Sequence, residues 1–182
     1  MGYKVNMEIN VLIGEAIEGK LELSWLEGIA RQILVAQGVG SEVELGLFIA
    51  TQERVQQLNR DYLGRDEPTD VLAFSAREEF GTDVPAFVPP PDGVLHLGEV
   101  IISYPQAAVQ AEEHRHSVKK EIAILIIHGV LHLLGYEHDK PELERQMRAR
   151  EKEILSHIEG GLGREFLVLL VARGGGATPI CY

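Results

Sequence analysis

The residues predict an α+β fold, a small mixed sheet of about four strands packed with about five helices. Three observations carry this. Apolar patterns follow one another in the order strand, helix, strand, helix, strand, strand and then helices. KKEIAILIIHGVLHLL, from Lys119 to Leu134, is almost wholly apolar after its first turn, which marks a helix buried on most sides. That helix also carries polar imidazoles, which are unfavourable in such surroundings unless something satisfies them.

The elements follow in order. Residues Tyr3 to Leu12 alternate as a first strand. Leu23 to Gln37 is a helix, with Leu26, Ile29, Ala30, Ile33 and Leu34 at helical spacing and Gly38 and Gly40 to stop it. Val43 to Ala50 is a β-rich run, and Thr51 is the N-cap of a helix through Leu58 and Tyr62. Pro68 and Thr69 introduce a strand from Asp70 to Phe74. Its hairpin partner is Val94 to Ser103, across a proline-rich loop at Pro85 to Pro91 that must lie at the surface. A short helix from Pro105 to His114 precedes the apolar helix. A last one runs from Pro141 to Ile158, with Leu143, Met147, Ile154 and Leu155 facing inward and Glu142, Arg145, Arg148 and Lys152 outward.

The imidazoles are His128, His132 and His138, in HGVLHLLGYEHD. Histidines four apart on a helix share a face, about 5–6 Å between Cβ atoms, within reach of one ion. Gly135 can turn the chain so that His138 returns over that face. Three nitrogens would then hold a zinc ion and leave a place for water, as in a zincin-like metal helix of catalytic type. The spacing HxxxHxxGxxH is that of metzincin proteases, which carry their general base, Glu, directly after the first His; Gly129 stands there instead. Protease chemistry of that kind is excluded, and metal-assisted hydrolysis of another substrate, such as a phosphodiester, is expected. Asp70, Glu99, Glu137 and Asp139 are the acidic residues nearest these blocks, and sequence assigns none of them to orient an imidazole.

Composition bounds the rest. With 182 residues, 45% of them hydrophobic, the chain can bury one good core. We expect a single domain over residues 1–159 and a poorly ordered C-terminal extension over 160–182, in which FLVLLVA is too short to span a bilayer. The one cysteine, Cys181, permits no intramolecular disulfide, and the N-terminal stretch lacks a signal-peptide pattern, so a cytoplasmic location is expected. A net charge of −11 and a pI near 5.1 argue against broad electrostatic adhesion to nucleic acid. Local positive ground is offered by EEHRHSVKK, with His114, Arg115, His116, Lys119 and Lys120. The same stretch reads more readily as an ordinary helix-loop-helix surface with acidic neighbours Glu112, Glu113 and Glu121.

HGVLHLLGYEHD, together with LNRDYLGRDEPTDVLAF (Leu58 to Phe74) and LGEVIIS (Leu97 to Ser103), resembles the YbeY family of bacterial ribosomal RNA maturation factors. The three blocks occur in the family's order, and the resemblance covers roughly residues 5 to 158. It implies a zinc-dependent, single-strand-specific endoribonuclease that processes the 3′ end of small-subunit (16S) ribosomal RNA and serves ribosome quality control. It also implies RNA as partner, with ribosomal proteins or ribosome-associated factors, and zinc ligands at His128, His132 and His138. The chain departs from the family at Leu63, where an Arg facing the substrate is usual. Arg65 and Arg60 are the nearby guanidinium groups, and Arg65 is kept as the catalytic candidate. LAFS, Leu72 to Ser75, stands where LSFP is more common. The alternative expectation is a ribosome-biogenesis binding factor with a structural metal and little nuclease activity.

Overall fold

The computed structural model describes residues 7–40, 42–76 and 93–172, the side chains of 161–172 excepted. Four strands are described: β1 (Met7–Ile13), β2 (Val43–Ala50), β3 (Val71–Ser75) and β4 (Leu95–Ser103). The helices are α1 (Leu23–Ala36), α2 (Gln52–Leu63), α3 (Tyr104–Glu113), α4 (Val118–Leu133) and α5 (Pro141–Ala172). The α+β expectation holds. The start of the first strand, the Pro85 to Pro91 loop and residues 173–182 lie outside the described residues.

The strands form one mixed sheet in the order β1-β2-β4-β3. β1, β2 and β4 run parallel, and β3 closes the edge antiparallel to β4, with Ala73 opposite Val100. Parallel neighbours need crossovers, which α1 and α2 supply; the β3–β4 pair needs only a hairpin. Period-two alternation gives the sheet two apolar faces. On one, Leu45, Leu47, Ile49, Leu97, Val100 and Ile102 pack with α1, α4 and α5. On the other, Phe48, Ile101, Leu72 and Phe74 pack with Val55 and Leu58 of α2. Helices α2 and α4 therefore cover opposite faces.

Caps set the helix starts. The side chains of Thr51, Ser103 and Ser117 accept from the backbone N–H of Arg54, Gln106 and Lys120 respectively. Two boundaries differ from expectation. Asp70 lies just ahead of β3, because its carboxylate accepts from the Val71 N–H (2.8 Å) and from Gln110 Nε2 (2.9 Å), which fixes the entry to the strand. Helix α5 continues past Ile158 to Ala172. Glycines at 160, 161 and 163 weaken a helix by about 1 kcal/mol each without breaking it, and no proline follows until Pro179.

Two close approaches hold the sheet against its neighbours. Leu97 is bulged out of the β2–β4 pairing, and Gly98, at φ 118°, lies so close to β3 that a Cβ there would collide with the Phe74 carbonyl oxygen. Gly129 sits where α4 crosses β4: a Cβ would lie 2.5 Å from Val100 Cγ1. The glycine after His128 is thus what lets the helix seat on the sheet.

Candidate metal centre

Helix α4 ends in a Schellman motif. The Tyr136 N–H reaches back to the Leu131 carbonyl (3.0 Å) and the Gly135 N–H to that of His132 (2.9 Å), while Gly135 adopts φ 93°, open to glycine at little cost. This turn does two things. It carries His138 back to the other two histidines, and it aims the Tyr136 carbonyl at His132 Nδ1, 2.9 Å away.

The three rings meet. His132 Nε2 lies 3.1 Å from His128 Nε2, ring centroids are 4.6–5.7 Å apart, and one nitrogen from each ring falls within 4.8 Å of the others. Donors bound at about 2.0–2.1 Å around a tetrahedral ion stand about 3.3 Å apart, so the His128–His132 spacing suits a shared metal.

A carbonyl oxygen only accepts, so His132 carries its proton on Nδ1 and presents a bare Nε2. His128 Nδ1 faces Glu151 Oε1 at 2.7 Å and likewise donates to it. Two lone pairs then confront each other at 3.1 Å, which is repulsive unless a proton or a metal cation lies between them. The pKa of His132 is lowered, first by burial, then by the neighbouring charges of His128 and His138. The ring is therefore held in the neutral form that ligates metal.

Metal retention should follow this shift. A histidine whose pKa is depressed stays neutral above its ordinary value of about 6.5 and for some way below it. His132 is therefore expected to stay a competent ligand through pH 6.5, and bound metal to be lost as acid protonates the cluster. Metal content of dialysed protein between about pH 7.5 and 4.5 would show it; complete loss already above about 6.5 is the contrary result.

Glu151 was not among the acidic residues that sequence proximity put forward. It arrives from α5, held in place by Arg150 Nη2 on the Ala36 carbonyl at 2.6 Å. Its signal was present: Met147, Glu151, Ile154 and Ile158 form one helical stripe in which the other three are buried. An acid on an apolar stripe has a partner to find. Asp70 is engaged with Val71 and Gln110 instead. Glu151→Ala is expected to lower metal affinity or cleavage by about 10–100-fold, read by competition with a chelating dye; unchanged affinity would count against an orienting role.

A groove of about 330 Å³ opens beside the histidines, lined by Ala73 and Ser75 of β3 and by His132, Gly135, Tyr136 and Glu137. Its β3 wall contains two of the family departures, Ala73 and Ser75. Arg65 follows α2 on the opposite face of the sheet, exposed, its backbone N–H on the Asn59 carbonyl after the left-handed Gly64. Its side chain has no hydrogen bond or ion pair among the described residues. Arg60 is engaged with Asp61 and Asp66. The basic stretch before α4 is largely neutralised: Lys119 pairs with Glu22, Lys120 with Glu159, and His114 and His116 turn toward Glu121.

Fold and site together define an α+β domain with a triple-histidine cluster at the end of a buried helix. A model of the family "Endoribonuclease YbeY" matches residues 14–159. A protein named endoribonuclease YbeY from Dehalococcoides mccartyi is 46% identical over 156 residues, 84% of this chain and 91% of the relative. The protein of that name from Chloroflexus aurantiacus is 42% identical over 158 residues, 86% and 97% of the two chains. A Thermotoga maritima protein solved in solution shares the fold at a TM-score of 0.56, with 23% identity over 86% of this chain and 93% of its own. The chain belongs to the endoribonuclease YbeY family.

Proposed function

We propose that this chain is a zinc-dependent, single-strand-specific endoribonuclease acting at the 3′ end of small-subunit (16S) ribosomal RNA and in ribosome quality control. The observation that carries the metal reading is the pair of bare Nε2 atoms of His128 and His132 facing each other, with His138 beside them. These three residues would hold the ion. When bound, zinc supplies a Lewis acid and a water whose pKa falls toward about 7, which suits phosphodiester hydrolysis without a glutamate at position 129.

The chain's own groups do the rest. Glu151 and the Tyr136 carbonyl hold the two helix imidazoles in the tautomer that presents Nε2. The groove of about 330 Å³ beside His132, walled by Ala73 and Ser75 of β3, is where the reading places the substrate segment next to the ion. Arg65, exposed, is the guanidinium proposed to hold a phosphate in place of the one lost at Leu63; lying across the sheet from the histidines, it would grip the RNA away from the ion and not at the bond that is cut. With a charge of −11, RNA adhesion must be local, and delivery by ribosomal proteins or ribosome-associated factors fits. A cytoplasmic place of action accompanies this reading; among the described residues no helix is long and apolar enough to cross a membrane.

The alternative, a ribosome-biogenesis binding factor with a structural metal, is favoured by the exposed Leu63 and the acidic charge. Chelation separates the two. The nuclease reading expects metal-stripped protein to keep its circular dichroism, to lose cleavage of single-stranded RNA, and to regain it on adding zinc. Unfolding on chelation, with no RNA cut under any metal condition, would establish the binding factor instead.

A further inference from the structure

A second group of potential ligands lies away from the triple-histidine site, where α3 hands over to α4. His114 caps the end of α3, Arg115 turns the chain at φ 57°, and His116 precedes the Ser117 cap of α4. The turn brings both imidazoles onto one carboxylate oxygen. Glu121 Oε2 lies 2.9 Å from His116 Nε2 and 3.2 Å from His114 Nδ1, and the Glu121 side chain is only 5% exposed.

A buried carboxylate is costly without a positive partner. The lysines next to it on α4 are engaged elsewhere, Lys119 with Glu22 and Lys120 with Glu159. The neighbouring histidine chemistry is equally unresolved. His116 Nδ1 faces the Ser117 carbonyl at 3.2 Å, so the proton sits on Nδ1 and a bare Nε2 lies 2.9 Å from an anionic oxygen. Either the ring carries a second proton or a cation joins the nitrogen and the oxygen.

We propose that His114, His116 and Glu121 form a second metal site, for a divalent transition-metal ion of the zinc type, that clips the end of α3 to the first turns of α4. Two histidines and a glutamate are an established zinc ligand set. The donor spacings of 2.9 and 3.2 Å suit ligands about 2.0–2.2 Å from one ion. The Ser117 carbonyl provides the outer contact that orients a ligating imidazole. The exposed edge at His114, whose side chain is 58% accessible, gives the ion an entry path and room for water. The proposal stands whether or not the triple-histidine site holds metal, because the two share no residue.

Stoichiometry tests it. Full-length protein is stripped with chelator, loaded with Zn²⁺ or Co²⁺ near neutral pH, desalted and counted by emission spectrometry. Wild type is expected to hold two ions per chain, a His128→Ala/His132→Ala double variant one, and His114→Ala one. His114→Ala removes an exposed ligand and leaves Glu121 its contact with His116, so folding is not at stake. Cobalt in the double variant should give a visible d–d band that His114→Ala, added to it, abolishes. A single ion in wild type that His114→Ala leaves in place, or a band indifferent to His114, overturns the proposal and leaves Glu121 held by a doubly protonated His116.

Discussion

His132→Ala is expected to reduce cleavage of single-stranded RNA by more than about a hundredfold while the circular dichroism spectrum stays unchanged. Removing a group that only orients a ligating imidazole typically costs about 10–100-fold, and loss of a ligand at the centre of the cluster should exceed that. His132 is the ring closest to both others, at 4.6 and 4.8 Å between centroids, against 5.7 Å for His128 and His138. Its removal leaves two nitrogens that cannot enclose an ion. The fold should survive, because the helix end is closed by the backbone bonds from Gly135 and Tyr136 and not by the imidazole. Cleavage within about threefold of wild type, in protein shown to be metal-replete, would be incompatible with catalysis at this centre.

Gly129→Glu is expected to unfold the domain, with a cost above about 4 kcal/mol, although it would restore the zinc-protease signature HExxH. A Cβ alone would meet Val100 Cγ1 at 2.5 Å and Cγ2 at 3.0 Å, so α4 would have to lift from β4. The carboxylate would also lie in the buried seam between helix and sheet, where residue 129 is enclosed. Gly129→Ala should show the steric part by itself, a smaller loss of about 1–3 kcal/mol. Chemical denaturation of the three proteins measures both effects. A Gly129→Glu protein as stable as wild type would mean that helix and sheet are not seated as described.

What could be read from the chain beforehand was what local pattern determines. Periodicity placed α1, β2 and α4 nearly to the residue, because each carries an unbroken apolar rhythm bounded by glycine or a hydroxyl cap. The convergence of His128, His132 and His138 was legible for the same reason: helix geometry fixes the first two, and Gly135 offers one economical way back for the third. Contacts between distant segments were not legible. Glu151 lies 23 residues from His128, and nothing local tells an orienting acid on α5 from a solvated one except the apolar stripe it interrupts. The crossing at Gly129 depends on which strand the helix rests on, which sequence order leaves open. In the stretch from His114 to Lys120 the balancing role of Glu121 was legible, but Glu22 and Glu159, which pair with Lys119 and Lys120, come from remote elements and were not.

The most direct measurement is anomalous diffraction at the zinc absorption edge from crystals of the full chain supplied with zinc. The account predicts a strong peak about 2.0–2.1 Å from a nitrogen of each of His128, His132 and His138. A map with no peak within about 4 Å of those rings, in a crystal whose zinc content is verified, would contradict it.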